Sequence, residues 1–190
     1  MKGASAKYIR RPLFKKIEED GKDEQRLIGF KWVKCMFEAS DTEGDPLPEF
    51  ETPEWSEQRA LGALAINKVA FEQLDGNIQG YSYENSVAIN PVAAYPRKTL
   101  IHEMAHVCLK HTTPEAHEDY KAHRGVKEFE AEGTAYVVMN RLDQLDSFDA
   151  EESRFYIRRW LGQDVRPPDE SLRAVVRVAD QIVKAGRKIE

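Results

Sequence analysis

KTLIHEMAHVCLKHT, residues 98–112, contains His102-Glu103-Met104-Ala105-His106, an H-E-x-x-H pattern. Pro96 suits the first turn of a helix, where its missing N–H costs nothing. Leu100, Ile101, Val107 and Leu109 give that helix, expected over residues 96–111, apolar positions to pack. Residues i and i+4 lie about 40° apart around a helix axis, so His102 and His106 can turn both imidazoles onto one ion. Glu103 sits about 100° round from His102, where it can reach a water on the open side of that ion. That is the place of a general base. Chance produces this pattern in fewer than about one chain in a hundred of this length, so a metal site is the working expectation.

Two histidines need a third protein ligand. The extended motif with a later histidine does not apply, because positions 109 and 112 are Leu and Thr. The next helix, expected over 127–144, offers Glu128-Phe129-Glu130-Ala131-Glu132. Glu128 and Glu132 are four apart and share a face, with the small Ala131 and Ala135 on or near it, so this helix can approach the first closely. Glu128 is assigned as the third ligand, and Glu132 as the carboxylate that orients one histidine through its other ring nitrogen; the reverse assignment is the alternative. Glu130 points the other way and reads as a solvated helix charge. His111 falls near the end of the first helix, where a partly positive imidazole is favourable. His117 and His123 occupy a polar loop. Either could stabilise an oxyanion, and Tyr81 and Tyr83 are alternative hydroxyl donors. Imidazole and carboxylate ligands favour zinc over manganese.

Working outward, residues 68–71, 79–83 and 86–90 read as short strands, with Asp75-Gly76-Asn77 and Glu84-Asn85 as turns. Helices are expected at 55–67, 149–161 and 169–185. This order gives an α+β domain over 55–190, with a small antiparallel sheet and several helices. Residues 41–54, DTEGDPLPEFETPE, form an acidic, proline-rich linker, placed at 46–54 in the domain division. Before it, 7–17 and 27–37 read as the strands of a β-hairpin over 1–45, joined by the polar EEDGKDEQ.

The formal net charge of -5 hides a segregation: residues 1–34 carry +5 and residues 35–60 carry -7. An acidic protein with one basic end is not a general nucleic-acid binder, but that end can contact phosphates. The two cysteines, Cys35 and Cys108, make neither a disulfide framework nor a metal knuckle and fit reduced thiols in a cytoplasmic protein. No apolar run of about 18 residues and no signal-like start argue against a membrane span and against secretion.

KTLIHEMAHVCLKHT followed by EFEAEGTAYVV (128–138) resembles the zincin-like metallopeptidase domain of ArdC-type antirestriction proteins, and is similar to the related ImmA/IrrE peptidases. GNIQGYSYENSVAINP (76–91) resembles the short sheet those proteins place before the metal helix. KGASAKYIRRPLFKK and IGFKWVKCMFEASDTEGDPLP resemble the end of the family's N-terminal single-stranded-DNA-binding domain. That domain is longer than the 1–45 segment, so the chain is read as carrying its last part. Position 132 is Glu where related peptidases often have Asp or Asn.

The resemblance implies a gluzincin-like peptidase, carried by a plasmid, phage or related element. Zinc would be held by His102, His106 and Glu128, with Glu103 as the base for a metal-activated water. A peptide or protein substrate would lie along the strand near 79–83. The alternative is an antirestriction protein that binds single-stranded DNA and whose metal site is structural. Arg10, Arg11, Lys31, Trp32 and Lys34 are its candidate DNA contacts. A further alternative is a regulatory peptidase specific for one repressor-like partner.

Overall fold

The computed structural model describes residues 4–19, 22–45, 54–73, 75–116, 123–161 and 166–188. It divides into two compact units, Met1–Phe50 and Glu51–Glu190. Most of the expected linker, residues 46–53, lies outside the described residues.

The first unit is an antiparallel hairpin of β1 (Lys7–Glu19) and β2 (Lys22–Met36), followed by a 3-10 turn at Ala39–Asp41. The strands run further than expected. Glu18 pairs with Asp23 and Glu19 with Lys22, so the polar stretch continues the ladder. Directly opposed residues share a face of the ladder. Tyr8 opposes Lys34, Arg10 opposes Trp32 and Pro12 opposes Phe30, so these six share one face. Arg11 opposite Lys31 and Ile9 opposite Val33 share the other.

The second unit is α+β. Its helices, among the described residues, are α1 (Glu57–Ala63), α2 (Pro96–Cys108), α3 (Arg124–Arg141), α4 (Ala150–Leu161) and α5 (Asp169–Gly186). None is long and apolar enough to cross a membrane. Ser56 caps α1 by accepting from the Arg59 amide. Pro96 opens α2, as its ring geometry favours, and Asp169 and Glu170 complement the dipole of α5.

α2 is buried on nearly every side: Leu100, Ile101, Met104, Ala105 and Val107 all join the core. α3 packs against α2, α4 and α5 and contributes Ala131, Ala135, Val138 and Met139 to the same core. At Gly133 an added Cβ would meet Val175 of α5 at 3.4 Å, an ordinary van der Waals contact.

The sheet corrects one expectation. β3 (Asn67–Val69), β4 (Gly80–Tyr83) and β5 (Ser86–Ile89) stand in the order β3-β5-β4. β5 is antiparallel to β4 but parallel to β3, so the sheet is mixed. The excursion over residues 70–79 carries the chain past the central position, and the Glu84-Asn85 turn then folds β5 back into it. Tight turns alone would have kept all three strands antiparallel. β4 is left on an edge beside α2.

α2 also ends earlier than expected, at Cys108. Lys110 adopts a left-handed φ of 63°. Its amide donates to Val107 O at 3.0 Å, and the His111 amide to His106 O at 3.0 Å. These are the two bonds of a Schellman stop, usually marked by glycine at the left-handed position. With Lys there, the sequence gives no warning of the stop.

Trp55 closes the end of α5: its Nε1 donates to Ile182 O at 3.1 Å, and a Cβ added to Gly186 would lie 2.1 Å from that nitrogen. Gly186→Ala is expected to displace the indole and lower stability by about 1–3 kcal/mol. Chemical denaturation compared with wild type measures it; an unchanged midpoint would refute the contact's importance.

Candidate metal centre

α2 presents His102 and His106 one turn apart, and the approach of α3 brings Glu128 to them. The two Nε2 atoms lie 3.1 Å from each other. Glu128 Oε2 lies 3.5 Å from His102 Nε2 and 3.9 Å from His106 Nε2. One ligand atom from each residue falls within 4.8 Å of the others. The cluster is largely buried, with the His102 side chain 19% exposed and His106 6%. Two nitrogen lone pairs facing one another repel unless a cation or proton sits between them, and a carboxylate completes the triangle. This donor set fits a divalent ion with an open coordination position.

Neighbouring carboxylates orient the rings. Glu132 Oε2 lies 3.0 Å from His102 Nδ1 and accepts its proton. The other oxygen of Glu132 receives Ser153 Oγ of α4 and Lys98 Nζ, each at 2.5 Å. Glu103 is 8% exposed and accepts from Ser82 Oγ of β4 at 2.7 Å. A cavity of about 550 Å³ opens over these groups, walled by β4, His102, Glu103, His106 and Glu128. A second, of about 450 Å³, reaches His102 and Glu103 past Lys98, Tyr156 and Trp160.

Burial lowers the affinity of His102 for a proton, but bonds to Glu128 and Glu132 and the charges of Glu103 and Glu132 outweigh it and hold its pKa at about 10. Burial and the charge on His102 push His106 down to about 3. Burial raises the Glu103 carboxyl, with His102 and Ser82 opposing. For Glu132 burial works upward, but His102 and Lys98 bring it to about 2. Without an ion, the centre keeps one proton on one imidazole, and that imidazolium supplies the positive charge the carboxylates call for.

Other expected residues fall as follows. Tyr81 and Tyr83 both line the cavity over the cluster, although period-two alternation sets their side chains on the face of β4 opposite that of Ser82. Tyr81 packs on Phe71 with centroids 5.5 Å apart, and the two tyrosines stack at 6.2 Å. His123 is exposed at the start of α3, outside the described lining of the cavity. His117 lies outside the described residues.

One reading is corrected. Glu130 is not a solvated charge: its Oε2 accepts from His111 Nε2 at 3.0 Å, and its side chain is 15% exposed. His111 lies just past the end of α2, as expected, and is buried, with Nδ1 3.0 Å from His106 Nδ1. The candidate DNA contacts divide between the faces of the hairpin, Arg10, Trp32 and Lys34 on one and Arg11 and Lys31 on the other.

Ser82, Lys98 and Ser153 are contacts the sequence reading missed. Lys98 had a signal, four residues before His102 on the same helix. Ser82 had one too, since it alternates with two aromatic residues on a strand beside the motif. Ser153 had none.

The shifts fix a pH profile for the metal-free protein. The folded pKa of His102, about 10, exceeds its ordinary 6.5, so its contribution to stability is full below 6.5 and lost as pH rises through 10. His106, at about 3, works the other way and removes stability as pH falls from 6.5 toward 3. The two histidines together therefore stabilise most near pH 6.5. Melting temperatures of chelator-treated wild type and His102→Gln should converge as pH rises from 6.5 toward 10. A constant gap would contradict the assignment.

No protein-family model and no curated protein matches the chain. Among solved structures it is similar to the crystal structure of the metal-free antirestriction ArdC protein from the R388 plasmid. The TM-score is 0.47 and the identity 18%, over 98% of this chain and 67% of that one.

Proposed function

We propose that the second unit is a zinc metallopeptidase. The observation that carries this reading is the convergence of His102, His106 and Glu128, beside a buried Glu103, on one cavity wall. His102, His106 and Glu128 would hold the ion. When bound, zinc supplies Lewis-acid polarisation of the scissile carbonyl and lowers the pKa of a water.

Glu103 takes a proton from the attacking water and returns it to the leaving nitrogen. Burial lifts its pKa toward the range that serves both steps. Ser82 holds one carboxylate oxygen and leaves the other to work. The edge position of β4 lets an extended peptide add alongside it and lie across the cavity. An antirestriction setting, implied by the resemblance of residues 98–138, is part of the same proposal.

Glu103→Gln is expected to retain zinc and lose about 10²–10⁴-fold in hydrolysis of a peptide library. Glu128→Ala should lose the metal, while Glu132→Ala should weaken it about 10–100-fold. Metal content and cleavage measured side by side decide the matter. Full zinc retention by Glu128→Ala, with loss in Glu132→Ala, would exchange their roles; an active Glu103→Gln would remove the base.

One observation favours a second activity, single-stranded DNA binding by the first unit. Tyr8, Phe30 and Trp32 lie exposed on the same face as Arg10 and Lys34, and Trp32 is 67% exposed. Arg10 covers the Phe30 ring at 4.9 Å and Lys34 the Tyr8 ring at 5.9 Å. Rings interleaved with cations suit stacked bases between phosphates. Fluorescence anisotropy of a labelled oligonucleotide should show affinity falling steeply with salt and falling further in Trp32→Ala. Arg10→Ala should cost more than Arg11→Ala, which lies on the opposite face. Equal losses would show that charge alone is recognised.

A further inference from the structure

We propose that Glu130 and His111 form a relay that sets the ring tautomer of His106, keeping its Nδ1 protonated and its Nε2 lone pair directed toward His102 and Glu128. The relay rests on the metal-centre reading only for its consequence, a higher affinity for zinc.

The geometry begins with the end of α2. In a Schellman stop the third residue from the helix end and the second residue beyond its cap become neighbours. Here those residues are His106 and His111. Their rings meet edge to face, with centroids 5.2 Å apart at 63°, and the two Nδ1 atoms are 3.0 Å apart. The other nitrogen of His111 lies 3.0 Å from Glu130 Oε2 on α3. Both histidines are buried, with little surface left to water.

The chain of bonds has one direction. An ionised carboxylate only accepts, so His111 Nε2 carries a hydrogen. A neutral imidazole then has its lone pair on Nδ1. That lone pair accepts from His106, whose Nδ1 must therefore be the donor. His106 Nε2 keeps its lone pair, 3.1 Å from His102 Nε2 and 3.9 Å from Glu128 Oε2.

Glu132 performs the same service for His102 in a single step. A carboxylate placed directly on His106 would add another negative charge to a pocket already holding Glu103, Glu128 and Glu132. The intervening imidazole transmits the orientation and keeps the Glu130 charge one ring further away.

Long-range proton–nitrogen correlations of the histidine rings in ¹⁵N-labelled, metal-free protein read the tautomer directly. Wild type should show His106 protonated at Nδ1. Glu130→Leu and His111→Phe should move it toward Nε2, whereas His111→Gln, whose side-chain oxygen can accept the same bond, should keep it. Zinc affinity, measured by competition with a chromophoric chelator, should fall about 10–100-fold in the first two variants and stay near wild type in the third.

A purely structural contact would lower the melting temperature of the variants without moving the tautomer. Protonation at Nε2 in wild type, or at Nδ1 unchanged in both disabling variants, overturns the relay. If Glu130→Leu does not fold, Glu130→Gln takes its place. Its amide can donate as well as accept, so a mixture of both His106 forms is expected and a single Nδ1-protonated form would count against the proposal. Wild type that binds no zinc but shows the tautomer shift removes the metal-centre reading and leaves the relay standing. Zinc binding without the shift does the reverse.

Discussion

Two imidazoles one helical turn apart face each other across 3.1 Å, and Glu103, Glu128 and Glu132 crowd the space around them. Such a cluster holds together only with positive charge inside it. In the metal-free protein a proton on His102 supplies that charge, aided by Lys98 against Glu132. Much of the second unit follows from the need to place these groups and keep water from separating them. α3 must come close to α2, and Ala131 and Ala135 in the shared core permit it. α4 must approach near enough for Ser153 to reach Glu132, and β4 must sit beside α2 for Ser82 to reach Glu103.

The three carboxylates of α3 at positions 128, 130 and 132 show how packing alters the meaning of a helical pattern. Glu128 and Glu132 turn toward the histidines of α2, as i, i+4 spacing requires. Glu130 turns away from them, and on a surface helix that would be toward water. α3 is not a surface helix: it is packed by α2, α4 and α5, so the far side is also interior. There Glu130 meets His111, delivered by the left-handed turn at Lys110. A charge that composition assigns to solvent is thereby tied back to the second histidine of the motif.

The first unit obeys different physics. Its strands are long, its ladder runs past two register shifts as far as the Glu19–Lys22 pair, and large aromatic side chains stand in solvent. Burial does not explain that face, along which rings and cations alternate, with Arg10 over Phe30 and Lys34 over Tyr8. Cross-strand register decides membership of the face. Tyr8 and Arg10 join Trp32 and Lys34, while Arg11 and Lys31 fall behind it.

The sequence alone determined the α+β class, the five helices of the described residues to within a few positions, the hairpin, and the spacing that puts His102 and His106 on one side of a helix. These features are local: period, caps, breakers and turn residues act over a few positions and need no knowledge of what packs against them. Tertiary structure decided the parallel pairing of β3 with β5, the interior fate of Glu130 and His111, and the approach of Ser82 and Ser153 to the two glutamates. Each of these depends on residues distant in the chain meeting in a particular orientation. Hydrogen bonds between such residues leave no periodic trace in the sequence, because only the packed helices bring donor and acceptor within 3 Å.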